Sequence, residues 1–593
     1  MLNRKNIRTD LCVVGGGLSG LCAAIAAARE GIQVVLMQER PVLGGNASSE
    51  IRMWVCGAHG DNNRETGIIE EISLENYYRN PTKNYFIWDT VLYDFAIREK
   101  NLTLLLNCTC MDAETEQGDF PFGRDRRIAK ITGYQMTTQT FIDVEAKYFA
   151  DCSGDSILAP LTGAEFRMGR EGKDDHGEPT HVEVKDDLTM GMSCLLQGRE
   201  TEKPVKFTPP AWSTKLTLDN FKDRHLNIYS SWENYWYLEL GGNCDTIRDT
   251  EEISKELLPL ALGTWDHIKN SGEHKADNWE LEFLGFLPGK RESRRMMGEY
   301  IITANDVLNN TQFDDVVAFG GWPIDDHFPD GFYHKGRPNT NILPEVPYQV
   351  PYRCLYSKNV SNLFFAGRNI SMTHMAMSSI RVMATCALLG QAVGTAAAVA
   401  CAYGLTPHAV YLEKMDEVQE KLMDADCFLP GKSRRISHFC CETAIENGND
   451  SLKNGQDRPN VLYGTNTCGM DVKNGTPLVY RFDRPQRVET VHIVFDSDLD
   501  RTTLPGDVCE RTHTMRCNVL LDSPQAYVPK TLCKAFALEA ETEDGVVEIY
   551  RTENNLKRAH HLPLGRDVKA LRLIPLTNWG GIDQTRVFSF DFK

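Results

Sequence analysis

Short apolar runs separated by glycine and polar turns govern the N-terminal part of the chain, and their spacing predicts alternating strands and helices. Residues 9–14 give an apolar strand, residues 18–30 the Ala-rich composition of a buried helix, and residues 32–37 a second strand running into Gln38 and Glu39. Strand, glycine turn, helix and strand make one βαβ unit. Helices over 68–80 and 88–100 lead to a strand over 102–106. Strands over 128–134 and 141–149 then predict a small hairpin layer that ends at residues 151–155.

From residue 159 to residue 353 the pattern changes to turns, polar runs such as 173–178 and an aromatic strand over 235–240. A buried strand meeting glycine returns at 362–368 and is followed by a long helix over 376–403, so the intervening stretch is expected to be inserted into the first domain. Beyond residue 437 apolar and polar residues alternate, as at Val491, Ile493 and Phe495 and again at Phe588, Phe590 and Phe592. Turns at Asp544-Gly545, Asn578 and Gly580-Gly581 space these runs as a β-sandwich of about 150 residues would. A chain of 593 residues exceeds one hydrophobic core. The predicted division is 1–158 and 354–436 as two parts of a Rossmann-like α/β domain, 159–353 as an inserted α+β substrate domain, and 437–593 as the C-terminal β-sandwich.

Composition narrows the partners. Hydrophobic residues make up 41% and charged residues 25%, a globular balance. A formal net charge of −18 argues against nucleic acid and anionic membrane surfaces, which draw on clustered Lys and Arg, and leaves a small-molecule or protein partner. Arg4, Lys5 and Arg8 precede no signal-peptide core, and the apolar stretch near 392–402 is too short to cross a bilayer. A soluble, cytoplasmic protein without a membrane span is expected, and a homo-oligomer is compatible with it. Eighteen cysteines include the close pairs Cys108/Cys110 and Cys440/Cys441 but no quartet of the C-x2-C kind. No metal or iron-sulfur cluster is therefore expected, and the thiols read as buried groups of a reducing compartment.

Between the first strand and helix lies Gly15-x-Gly17-x-x-Gly20. Gly15 allows the tight turn, Gly17 lets the backbone approach a pyrophosphate, and Gly20 lets helix and sheet pack closely. Glu39, 19 residues beyond Gly20, stands where a carboxylate accepts the hydroxyls of an adenosine ribose.

The run from Glu39 through Arg40 to Gly44-Gly45-Asn46 resembles the segment by which flavoproteins of the glutathione reductase and fumarate reductase type continue from the ribose to the flavin. Residues 150–155 resemble their second glycine motif, and residues 362–368 resemble the closing strand that brings a backbone turn to the flavin. With Gly44 to Arg52, Gly289 to Arg295, Pro351-Tyr352-Arg353 and Ser379 to Cys386, the chain resembles the broad FAD-dependent oxidoreductase family that includes the flavin portion of heterodisulfide reductase, over residues 9 to 405. It departs from heterodisulfide reductase in lacking cysteine quartets. The resemblance implies FAD as cofactor and an FAD-binding domain of glutathione reductase type. It also implies cofactor contacts from Gly15, Gly17, Leu18, Ser19, Gly20, Glu39, Arg40, Gly44, Gly45, Asn46, Gly154, Asp155, Gly367, Arg368 and Gln391.

The same resemblance singles out His374, seven residues after Gly367, because a substrate-binding His stands at that distance in the fumarate reductase pattern, in a register that continues to Gly390-Gln391. The arginine of that pattern would fall on Met377, and the first arginine here is Arg381. His374 is expected to handle a hydroxyl proton or donate to an oxyanion, with capping of the following helix as the alternative, and Arg381 to bind a carboxylate or the flavin pyrimidine, with a structural ion pair as its alternative. Arg52 and His59 follow the flavin-approaching Gly44-Gly45 turn and are expected substrate contacts. Cys56 lacks a second cysteine at redox spacing and reads as structural. Arg291 to Arg295 read as a solvated or ion-paired helix start, with phosphate contact as the lesser alternative, and Gly320 to His327 as a loop that could floor a pocket or equally be a turn with an Asp-His pair.

The function expected is hydride transfer between FAD and a small polar substrate of the sugar or hydroxy-acid class, with the electron acceptor open. The sugar arm rests on a C-terminal sandwich that loosely resembles carbohydrate-binding jelly rolls, with Trp579 at its surface. A flavin-bearing binding or assembly protein and an electron-transfer subunit are the rival classes.

Overall fold

The computed structural model describes residues 2–465, 468–501 and 515–593, and it shows a mixed α/β chain with a largely parallel N-terminal sheet and an antiparallel C-terminal one. Strand β1 (Asn3–Val14) lies at the centre of the first sheet, with β2 (Val34–Met37) and β3 (Leu102–Leu105) in parallel on one side and β6 (Thr140–Asp151) in parallel on the other. The far half of β6 also takes β7 (Leu363–Phe365) in parallel, while its near half leads into the antiparallel pair β5 (Arg124–Gln135) and β4 (Cys108–Phe120). Strand β4 escapes the sequence pattern because it is an edge strand with a polar, mostly exposed run from Met111 to Asp119.

Helix α1 (Leu18–Arg29) buries every residue from Leu18 to Ala28, since it lies between the sheet and a second apolar helix. Helices α2 (Ile68–Arg79) and α3 (Tyr85–Ile97) follow β2 as the pattern predicts, α3 starting three residues early on an Asn84 cap. The long helix expected over 376–403 is two helices, α4 (His374–Ile380) and α5 (Met383–Tyr403). They part at Arg381 and Val382, where Val382 is extended and the carbonyl of Cys56 takes the Ala384 N–H at 2.9 Å. Helix α5 is long and apolar enough to cross a membrane, contrary to the shorter run seen in sequence, yet 94% of that window is buried in the fold. Its burial against α1 is backbone to backbone. A Cβ at Gly390 would lie 1.9 Å from the Ser19 carbonyl oxygen, and one at Gly394 would lie 2.2 Å from that of Ala23. Helix α6 (Pro407–Asp424), capped by Thr406, then packs on α5.

The stretch between β6 and β7 holds small antiparallel pairs around the helix Thr250–Asn270, whose stripe of Leu257, Leu260, Ala261, Trp265 and Ile268 packs with Trp279. The aromatic strand expected over 235–240 shrinks to Glu239–Leu240, because Tyr235 takes a positive φ and its N–H turns to the Glu233 carboxylate. Residues 291–295 form no helix start. Arg295 sits on a buried two-residue strand, and Arg291 reaches Glu239 at 3.2 Å.

The C-terminal strands β8 (Met470–Lys473), β9 (Leu478–Phe495), β10 (Cys533–Thr542), β11 (Gly545–Thr552), β12 (Ala559–Asn578) and β13 (Gln584–Phe592) form one hydrogen-bonded antiparallel sheet in the order β8-β13-β9-β12-β10-β11. The connection from β9 to β10 reaches back over the rest of the molecule. Val519 N–H bonds to Gly198 O, Ala526 N–H to Pro81 O, and the Leu499 carbonyl takes the Asn62 N–H. Trp579 is not a free surface platform: it is half-buried, packs on Tyr78 of α2 and donates its indole N–H to Asn555 O.

Candidate active site

Helix α1 begins after Gly17, which is extended, with no side-chain cap and no acidic residue in its first turn, so its leading N–H groups face outward unclaimed by the protein's own side chains. They face a cavity of about 370 Å³ bounded by the glycine turns at 15–17, 44–45, 154 and 367. Two of the motif glycines are demanded by packing. Gly15 has φ +101° and a Cβ there would lie 2.4 Å from Cys152 O, while a Cβ on Gly20 would lie 1.8 Å from Gly15 O. Gly17 differs, because its Cβ would meet nothing nearer than Gly45 Cα at 3.9 Å, so only an occupant of the cavity gives that position a reason to be bare.

The walls fit a dinucleotide of the FAD kind. Arg40, Lys290, Arg294, Arg368 and Arg381 line the cavity of an otherwise acidic chain, Glu39 projects at its edge, and the Ser19 hydroxyl is buried without a hydrogen-bond partner. Asp155 ties Lys290 and Arg368 together at 2.8 Å each. Burial opposes its charge, but those two cations hold it below the usual carboxylate range. Every cofactor residue expected from sequence lines the cavity except Gly20 and Gln391. Gln391 is buried and turned to α2, where its Oε1 accepts the Ile68 N–H at 2.9 Å, so it caps that helix instead. Lys290 and Arg294 line the cavity as well, although neither was among the cofactor contacts expected from sequence.

The predicted catalytic residues scatter. Arg381 lines the cofactor cavity and hydrogen-bonds Asp325 through its backbone oxygen at 3.0 Å and its carboxylate at 3.3 Å. His374 does not line it. Both ring nitrogens are taken, Nδ1 by Glu292 at 2.9 Å and Nε2 by Asp326 at 3.0 Å, and the residue is 2% exposed. Burial works against its charge, yet Glu292 and Asp326 raise the imidazole to about 10, so at neutral pH it is a cation that donates and not a base that accepts. Asp325 and Asp326 are neighbours on the strand Ile324–His327 and so point to opposite faces, one toward Arg381 and His327, the other toward His374.

Arg295 anchors this network, fully buried between Glu292 and Glu171, whose Oε2 in turn accepts the His374 N–H. Removing it would strand two buried carboxylates. Arg295→Met is expected to cost about 3–5 kcal/mol, measured as a lowered urea midpoint with unchanged slope.

Arg52, with φ +63°, turns away from the cofactor cavity into a separate one of about 270 Å³, where it stacks on Phe283 at 4.4 Å and donates to Gln197 at 3.1 Å. His59 lines a third cavity of about 180 Å³, against Trp322. Met383, at the start of α5, lines the first cavity, and its neighbour Ala384 lines the third. Trp54 and Trp322 form its aromatic walls, and its acids are Glu65, Glu70 and Asp500. Arg64, the one arginine lining it among the described residues, is spent on Glu70 at 2.8 Å and Asp500 at 3.2 Å.

Glu65 was missed by sequence reading. It is 3% exposed, and its Oε1 accepts the Ala58 N–H at 2.9 Å and the Thr385 hydroxyl at 3.0 Å. Its Oε2 lies where only a glycine admits it, 2.3 Å from the place a Gly57 Cβ would take. Burial raises this carboxyl to about 7.

A family model described as FAD dependent oxidoreductase matches residues 10–422. No curated protein matches the chain. Among solved structures, adenylylsulfate reductase from Archaeoglobus fulgidus is 11% identical over 72% of this chain and 74% of its own, with a TM-score of 0.30. A single-residue variant of the E. coli quinol fumarate reductase FrdA is 12% identical over 71% and 75%, with a TM-score of 0.27. A family 32 carbohydrate-binding module from Streptococcus pneumoniae EndoD is 12% identical over 26% and 99%, with a TM-score of 0.19.

Proposed function

We propose, on the premise that this chain belongs to the FAD-dependent oxidoreductase family, that it oxidises a secondary or primary hydroxyl of a neutral, polyhydroxylated small molecule held between Trp54 and Trp322. Bound FAD supplies the two-electron acceptor, resting on the α1 N-terminus and the basic wall from Arg40 to Arg381. The tryptophans offer flat apolar faces to a sugar ring, and the acids of the cavity accept its hydroxyl protons. Among the described residues Arg64 is spent on two carboxylates and no Lys or other Arg lines the cavity, which favours a neutral sugar over a hydroxy acid. Glu65 receives the proton of the reacting hydroxyl, and Thr385 and the Ala58 N–H hold it in place. Arg381 orients the cofactor side, and His374 is a fixed cation that positions Asp326.

The observation that carries this reading is Glu65, buried with no cation paired to it among the described residues and hydrogen-bonded to Thr385 in the first turn of α5, the helix whose Met383 lines the first cavity. The finer architecture we propose is a glutathione reductase-type domain interrupted by 159–353 and followed by a jelly-roll-like sandwich. It is supported by the placement of β7 beside β6 and by the long bent strands β9 and β12 that pair with most of the sheet. The test is anaerobic mixing of the holoenzyme with aldoses, polyols and hydroxy acids. Neutral sugars are expected to bleach the oxidised flavin, and bleaching by hydroxy acids alone, or by no member, overturns the assignment.

A further inference from the structure

Where the C-terminal sheet meets the end of α6, two histidines stand directly opposite each other in register, His492 on β9 and His561 on β12. Asp424, the last residue of α6, completes a group whose ligand atoms all lie within 4.8 Å of one another. His492 is the unusual member. It is 3% exposed, neither of its ring nitrogens has a hydrogen-bond partner, and the nearest carboxylate oxygen, on Asp457, is 3.9 Å from Nε2. Leaving a buried polar group unpaired costs about 1–3 kcal/mol per group, so a native fold that does so calls for a missing partner.

We propose that His492, His561 and Asp424 bind one divalent transition-metal ion of the zinc class, water filling the fourth position. Two imidazoles and one carboxylate suit zinc better than calcium or magnesium, which prefer all-oxygen shells. Asp457 supplies the outer carboxylate that histidine ligands commonly lean on through their second nitrogen. Metal–ligand bonds of about 2.0–2.2 Å draw the three groups closer together, a movement that rotation of the exposed His561 and the half-exposed Asp424 provides. Lys593 keeps its place on Asp424, at 3.0 and 3.1 Å, because each carboxylate oxygen has a second lone pair. The ion would clip α6 to the C-terminal sheet, and none of its three ligands lines the cavities of the active site.

The experiment uses the FAD-loaded full chain, treated with chelator, dialysed and titrated with Co²⁺ and then Zn²⁺. One equivalent of Co²⁺ is expected to give tetrahedral visible bands that Zn²⁺ displaces, and Zn²⁺ is expected to raise the melting temperature. His561→Gln and Asp424→Asn each weaken binding by more than about 100-fold while flavin content and turnover stay at the wild-type level. A second candidate group, His267, Glu273 and His274, serves as the control, and His274→Gln leaves the signal intact. The proposal is overturned if the wild type takes up no stoichiometric Co²⁺, if His561→Gln binds as tightly as wild type, or if the signal follows His274.

Discussion

Glu65→Gln is expected to lower kcat by about 100- to 10,000-fold, the range removed with a positioned general base, while the flavin spectrum stays intact. The wild-type kcat/KM is expected to rise with pH through a midpoint near 7, since the carboxyl accepts a proton only once ionised, and that limb is expected to vanish in the variant. The same substitution tests linkage with the opposite sign. A carboxyl whose pKa is raised on folding binds more protons folded than unfolded, so its ionisation subtracts from stability as pH climbs from its unfolded value through about 7. Glu65→Gln is therefore expected to gain up to about 3 kcal/mol over wild type at pH 8 and little at pH 4. A variant that is slower yet more stable at alkaline pH is the signature. An unchanged kcat removes Glu65 from the mechanism, and His59 becomes the group to examine.

Gly390→Ala is expected to abolish flavin retention and to destabilise the fold by more than about 4 kcal/mol, far above the usual cost of a surface substitution. The added methyl would stand 1.9 Å from the Ser19 carbonyl, a backbone atom that cannot rotate aside, so α1 and α5 must separate. Ser19 opens α1 at the cofactor cavity, which makes the flavin-to-protein ratio after purification the direct readout. Retention of stoichiometric flavin at wild-type melting temperature would show that the two helices yield without consequence.

Much of this architecture is legible in the sequence because its signals are local. The period switch from strand to helix around Gly15 to Gly20, the Ala-rich α1, the returns at Gly154 and Gly367 and the alternation of β9 and β13 all follow from neighbours within a few residues. What failed depended on direction. Arg52 sits one residue beyond Ile51, which faces the cofactor cavity, but a positive φ swings Arg52 elsewhere. Gln391 lies on the right helix and faces α2. His374 holds the expected position after the closing glycine, and its partners Glu292 and Asp326 arrive from the inserted stretch to make it a cation. Glu65 carries no motif at all. Its character comes from Gly57, Ala58 and Thr385, the last of them on a helix distant in sequence. Trp579 reads in sequence as a surface residue because Tyr78 and Asn555, its partners, are invisible in a local window.

The close contact of α1 with α5 also sets a timetable for biosynthesis. Ser19 and Gly390 are separated by more than half of the chain, and β7, the strand that closes the sheet beside β6, leaves the ribosome only shortly before α5 does. The glycine turn at the start of α1 is thus made early and stays without its second wall until the inserted stretch has been translated. An Ala-rich helix meanwhile waits with its apolar surface uncovered, the circumstance in which nascent chains draw on chaperones. The contact that closes α1 against α5 accordingly forms only after α5 has been made, long after the nucleotide motif has appeared.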